Sequence, residues 1–385
     1  MNGKTVLAER RYELDWLRVG AILTVFIYHS ARFFDGEDWS VKNAVTHLAV
    51  SQWQVFLAQW MMPLIFLISG ASAYFAVGKS GPGRFIWDKA LRLLVPVLVA
   101  AFTHASLQVY LERLSHGQFH GSYWEFLPHY FDGVYLGPGT GTGNFAFHGM
   151  HLWYLLFLFL FCLLVLPLFF WLRGELGGRA LRKVGDVLAL PGAVLFLALP
   201  TAILQNVLGH DTLLGGFRLG GWNMPHYLWF FVSGFLILSH QRLQRRICQA
   251  RWVALALGLA LVIVPLLSGG EVGKHPDLVS WSWILAILGF GLRHLNFRNP
   301  FLSYANDTVM PFYILHQSVL LFLGFFVVQW AVTDLARYVT ITVLSFFTIV
   351  MLCEFLVRRN NVIRFLFGMS ARQRAAQSAH LSLPS

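Results

Sequence analysis

The chain has 385 residues with a mean hydropathy of +0.60, and 57% of them are hydrophobic while 12% are charged. A soluble domain carries about 25% charged residues, so the composition excludes an ordinary water-soluble globule and any disordered or fibrous class. The net charge of +11 has two readings, nucleic-acid binding or arginines gathered on one side of a membrane, and the positions of the cations decide between them.

A helix crossing about 30 Å of hydrocarbon needs about 20 mostly apolar residues. In chain order, ten stretches meet that need, over about 15–34, 52–78, 91–111, 151–172, 187–208, 224–239, 252–268, 280–295, 304–328 and 338–357. They predict an all-α fold, a polytopic membrane helix bundle of about ten transmembrane helices. Pro200, Pro225, Pro265 and Pro311 mark kinks or helix starts within it. With the N-terminus inside, 22 of the 29 Lys and Arg fall on the cytoplasmic side. Six fall outside (Arg32, Lys42, Arg113, Arg218, Lys274 and Arg337), and Arg18 lies within the first span. This asymmetry predicts that both termini are cytoplasmic and leaves the lipid bilayer, not nucleic acid, as the partner. Residues 1–369 read as one membrane domain and 370–385 as a polar, disordered cytoplasmic tail. No small-residue cleavage site follows the first apolar stretch, and Asp15 and Arg18 interrupt its onset, so it reads as a retained span.

Between the spans, residues 112–150 form a long outer connection rich in His, Tyr, Trp and Gly. His116 and His120 have the i,i+4 spacing of metal ligands, but HGQFH lacks the glutamate of the HExxH motif, so no metal is expected. Tyr123, Trp124, Tyr130 and Tyr135 suit either stacking on sugar rings or an interfacial aromatic belt. GPGTGTGN (137–144) lacks the Gly-Lys-Ser/Thr ending of a phosphate loop and reads as a turn. No GxSxG elbow is present. Cys162, Cys248 and Cys353 lie in or beside apolar runs without paired spacing and read as packing residues.

Ionisable groups at membrane depth are costly and mark functional sites. The first span carries Asp15, Arg18 and His29. Asp15 and Arg18, three apart, can pair on one helical face. Arg18 and His29 are eleven apart, about three turns, and share a face about 16 Å apart along the axis. A permanent cation at one end and an imidazole able to take a hydroxyl proton at the other suit a reaction whose two substrates arrive from opposite sides. The bland alternative is a snorkelling arginine and an interfacial histidine. His316, with Gln317, sits mid-span in the ninth stretch and either faces the same cavity as His29 or hydrogen-bonds across helices. Asn306 and Asp307 read as an N-cap for that stretch, and Glu354 as a partner for Arg358 one turn on.

ELDWLRVGAILTVFIYHS resembles the opening helix of the acyltransferase-3 family of integral-membrane acyltransferases, whose Arg, ten residues, then His falls on Arg18 and His29. The family's second basic motif, two arginines three apart before the third helix, falls on Lys89 and Arg92 in DKALRLLVP. Lysine at the first of these positions keeps the charge but not the bidentate fork. MPLIFLISGASAYF, HLWYLLFLFL and PFYILHQSVL extend the resemblance in order over most of the membrane portion, with a closer similarity to glucan-modifying and surface-polysaccharide acyltransferases.

The resemblance implies a multi-pass enzyme of the bacterial inner (cytoplasmic) membrane that transfers an acyl group, acetyl or succinyl, from acyl-CoA to a hydroxyl of an extracytoplasmic glycan. O-acetylation of a polysaccharide is one such modification. In it His29 is catalytic, as base or acyl carrier, Arg18 orients the donor, and Lys89 and Arg92 meet a CoA phosphate. Asp15 and His316 support them. Acyl-CoA is a co-substrate, no cofactor is bound, and self-association into a homo-oligomer stays open. The rivals are a transporter or flippase that moves a glycan without covalent chemistry, and a non-catalytic scaffold. The absence of visible internal repeats weighs against transport.

Overall fold

Apolar runs punctuated by proline, glycine and charge fold into helices throughout the computed structural model, which describes residues 10–79, 81–137, 143–208, 224–269 and 275–370. The chain opens with α1 (Tyr12–Ala31), α2 (Leu48–Val77), α3 (Pro82–Phe102) and α4 (Ala105–Ser115), and the short α5 (Tyr123–Phe126) lies in the connection that follows. Next come α6 (Trp153–Leu164), α7 (Leu166–Arg173), α8 (Glu175–Leu188), α9 (Ala198–Leu208) and α10 (Met224–Ser239). The chain continues through α11 (Gln241–Leu267), α12 (Pro276–His294), α13 (Pro300–Val327), α14 (Asp334–Met351) and α15 (Asn361–Leu366). Among the described residues the only β pairing is an isolated bridge between Val134 and Phe145, so the fold is all-α.

The expectation of about ten transmembrane helices is overturned. Four helices among the described residues are long and apolar enough to cross a membrane: α2, α11, α13, and α14 with its π-helical continuation, Asp334–Val357. The number rises to six if each of two bent pairs is one span. α3 and α4 meet at 45° across Thr103 and His104, and Met150–Leu164 meets α7 at 52° before Pro167. The remaining apolar runs fall short for local reasons. α1 carries Glu13, Asp15 and Arg18 in its first two turns. α10 has only 16 residues. The run over 187–208 begins in the end of α8, turns at Gly192 and passes through the 3-10 turn Ala193–Leu197 before α9. α12 begins at Pro276 and Asp277 and ends on Arg293 and His294, which shortens its apolar middle. A hydropathy reading scores each run as a crossing, whereas packing against neighbours also satisfies a short apolar helix. Both chain termini and the tail beyond Ser370 lie outside the described residues.

The spanning helices divide into inner and outer. The apolar window is 61% buried in α2 and in α13, against 11% in α11 and 22% in α14. Helices this apolar and this little covered by protein face lipid. α1 packs against α2, α12, α13 and α14, so its charged and imidazole side chains sit inside the bundle. α2 runs hard against α10 at two glycines. A Cβ at Gly70 would overlap the Phe231 carbonyl, and one at Gly234 would overlap the Leu67 carbonyl. Small residues that let backbones touch are the usual adhesive between membrane helices.

Candidate active site

A cavity of about 750 Å³ opens between α1, α2, α3, α6 and α13. Arg10, Arg18, Lys89, Arg92, Arg298 and Arg358 line it, against the carboxylates Asp15 and Asp307, and Ser69, Ser72 and Tyr154 add hydroxyls. Each carboxylate is already engaged. Asp15 Oδ2 accepts from Arg10 Nε at 3.1 Å and Nη2 at 3.0 Å, and Arg18 Nη1 stands 3.5 Å from Asp15 Oδ1. The Asn306 amide closes this network, donating to Asp15 Oδ1 at 3.2 Å and accepting from Arg10 Nη2 at 3.1 Å. Asp307 accepts from Arg358 Nε and Arg364 Nη2, each at 3.2 Å. Arg18 Nη2 also donates to Ser72 Oγ at 2.9 Å. Among the described residues Lys89 and Arg92 make no ion pair; Lys89 lies 5.5 Å over the Phe85 ring, and Arg92 Nε donates to the Gly368 carbonyl at 3.4 Å. The cavity therefore has a surplus of positive charge, suited to a multiply anionic ligand.

The structure corrects one reading here and agrees with another. Asn299, not Asn306 or Asp307, caps α13, accepting from the Leu302 amide at 2.7 Å. Glu354 pairs with Arg358, one turn on.

Further along α1, His29 meets His316 of α13. His29 Nδ1 lies 3.0 Å from the Val25 carbonyl and 3.2 Å from His316 Nε2, and His316 Nδ1 lies 2.5 Å from the Tyr313 carbonyl. A carbonyl only accepts, so both Nδ1 atoms carry hydrogen. His316 Nε2 then accepts a share of the His29 proton, and His29 Nε2 keeps its lone pair. His151 packs against His316 with ring centroids 4.7 Å apart, and its Nε2 donates to the Tyr313 and Ile314 carbonyls at 3.0 and 3.1 Å. Three imidazoles thus meet inside the bundle. Among the described residues no group of three His, Cys, Asp or Glu is arranged to hold a metal ion. His116 Nε2, from the metal-like pair, instead approaches the Trp39 carbonyl at 3.1 Å.

A family model described as an acyltransferase domain matches residues 11–354, which takes in both ends of this arrangement. The chain belongs to the acyltransferase-3 family. It is an acyltransferase, and its long apolar helices make it a multi-pass membrane protein. It is similar to glucans biosynthesis protein C of Escherichia coli strain K12, with 23% identity over 337 residues, covering 84% of this chain and 85% of that one. It is likewise similar to glucans biosynthesis protein C of Salmonella schwarzengrund, with 21% identity over 351 residues and coverage of 87% and 88%. No solved structure matches it.

In this acyltransferase the structure also brings forward residues that the sequence did not single out. Glu112 of α4 is fully buried, and its Oε2 accepts from Ser40 Oγ at 2.8 Å and from Tyr135 OH at 2.7 Å. Burial first, and then the Glu112 carboxylate, pushes the Tyr135 phenol up, so it stays protonated and donates. Tyr130 is buried as well, donating to the Ala101 carbonyl at 2.7 Å. Tyr130 and Tyr135 therefore anchor this connection, while Trp124 is 77% exposed beside the Tyr123 ring. An acid next to Arg113 at the end of an apolar run was the signal for Glu112. Ser69 and Tyr154, neutral residues within apolar runs, gave none.

Proposed function

We propose that this acyltransferase moves an acyl group, acetyl or succinyl, from acyl-CoA to a hydroxyl of an extracytoplasmic glycan. The observation that carries the reading is that α1 links a cation-rich cavity at Arg18 to a histidine with an open lone pair at His29. The separation along the helix axis is about 16 Å for eleven residues. The surplus cations suit the phosphates of CoA, and about 750 Å³ suits a ligand of that class. Lys89 and Arg92, without carboxylate partners among the described residues, meet those phosphates. Arg18, steadied by Asp15 and Ser72, orients the donor.

His29 Nε2 takes the proton of the acceptor hydroxyl as its oxygen attacks the thioester carbonyl carbon. The new C–O bond forms, the C–S bond breaks, and the thiolate leaves with the electron pair and collects the proton from the imidazolium. His316 holds the opposite nitrogen of His29 in place. A glycan acceptor is supported by the relatives, whose name assigns them to glucan biosynthesis. The cations gathered at the cavity favour its facing the cytoplasm of a bacterial inner membrane.

The test is transfer of a labelled acyl group from acyl-CoA, supplied on the cavity face of proteoliposomes, to an oligoglucan on the other face. Label in the glucan only when both substrates are present supports the proposal. Glucan movement without any label transfer contradicts it and favours transport.

A further inference from the structure

The cavity ends at a hydrogen bond. Ser69 of α2 and Tyr154 in the first turn of α6 both line it, and their oxygens lie 2.6 Å apart. Behind them the buried Tyr313 packs edge-on against Tyr154, with ring centroids 5.9 Å apart. Tyr313 also contacts the His316 ring at 5.5 Å, and His316 reaches His29 at 3.2 Å. His29 does not line the cavity. Two tyrosine rings and an imidazole stand between the cations and His29, although Arg18 and His29 share one helix.

An acyl arm anchored near Arg18 has about 16 Å to cover before it reaches His29, and Tyr154 lies in its way. A permanently open passage would admit water to the thioester. It would also leave an aqueous route through the bundle. We propose that the Ser69–Tyr154 pair is the inner gate of the cavity, closed here, which opens to pass the acyl arm of the donor toward His29. This rests on the reading that the cavity takes acyl-CoA.

Two features of the chain supply the motion. Gly149 and Met150, with φ of 66° and 60°, stand in the left-handed region in succession, and Met150 is the one non-glycine residue there among those described. Such a backbone is sterically costly for a residue with a side chain and is typical of switch segments. The strained Met150 opens the 3-10 turn Met150–Leu152, which leads directly into the turn bearing Tyr154. The second feature is Ser72, which holds Arg18 and sits three residues from Ser69 on the same side of α2. An anion that draws Arg18 away from Ser72 breaks a side-chain tie between the cavity's cations and the face of α2 that carries Ser69.

The test uses the full chain in membrane vesicles with His29→Cys as a reporter. A charged methanethiosulfonate is added on the cavity face, and peptide mass separates labelling at position 29 from Cys162, Cys248 and Cys353. Ser72→Cys, within the cavity wall, sets the rate for an open site. Labelling at position 29 is expected to be slow with the pair intact. It should rise about tenfold in Ser69→Ala or Tyr154→Phe, the population change expected when one neutral hydrogen bond holding the closed form is lost. Both variants remove a hydroxyl and little volume, so the fold is retained. Equal rates with and without the pair, or fast labelling with it intact, overturn the gate. Acyl-CoA binding to the unaltered protein is measured separately, so absence of binding tells against the donor and leaves the labelling result standing.

Discussion

At the scale of single residues, the two ends of α1 do different work and fail differently. Arg18 uses its fork, with one nitrogen toward Asp15 and the other on Ser72. Arg18→Lys keeps the charge but cannot hold both. We expect kcat/KM for acyl-CoA to fall about tenfold or more, since one oriented charged hydrogen bond is worth about 1.5–3 kcal/mol. Steady-state thiol release checks this, and a near-normal value would mean that charge alone suffices. In the proposed mechanism His316 acts through His29. The Val25 carbonyl already fixes the His29 tautomer, so His316→Ala removes only the second acceptor for the Nδ1 proton. The expected loss is about tenfold in kcat, one neutral hydrogen bond, with donor affinity unchanged in a direct binding measurement. A fall in affinity instead would place His316 in the donor site. That Arg18 and His29 lie on one helix was legible, because the apolar run that carries both is continuous. The pairing of Ser69 with Tyr154 was not. Neither is ionisable, and only the tertiary fold brings residues 85 positions apart within 2.6 Å.

At the scale of elements, the helical class was readable and the span count was not. Hydropathy counts apolar length, but it does not register the breaks at Thr103 and His104 or before Pro167, nor that α10 is buried against α2 despite its length. The α2–α10 contact depends on glycines that no periodicity argument would select. Gly234→Leu would force a branched side chain onto the Leu67 carbonyl. Overpacking of this kind costs typically about 1–3 kcal/mol, and here the obstacle is backbone that cannot rotate aside. We expect a clear drop in melting temperature of the detergent-solubilised protein, by several degrees at least. An unchanged melt would show that α2 and α10 can separate without loss. α8, which a count of apolar length passes over, carries Arg179, Arg182 and Lys183 beside the exposed Leu176, Val184 and Val187, the pattern of a helix lying along a membrane surface.

Over the whole molecule, cations from distant parts of the chain gather at one cavity. Arg10, Lys89, Arg92, Arg298 and Arg358, read from the sequence onto one side, all line the cavity. The loops that supply them are far apart in the chain, so their convergence is a tertiary fact even though their common side was legible. Beyond the far end of α1, Glu112 of α4 ties the segment that follows α1, through Ser40, to the chain at Tyr135. In the proposed mechanism His29 performs acyl transfer at the end of a path that starts in this cavity. The most direct measurement is acyl-CoA turnover by the purified protein in nanodiscs with an oligoglucan present. Free thiol is followed for acetyl- and succinyl-CoA, unaltered protein beside His29→Ala. The account predicts thiol release with at least one donor and a loss of about 10²-fold or more in the variant, the share of a general base, with its melting and donor binding preserved. Turnover retained in His29→Ala would contradict it.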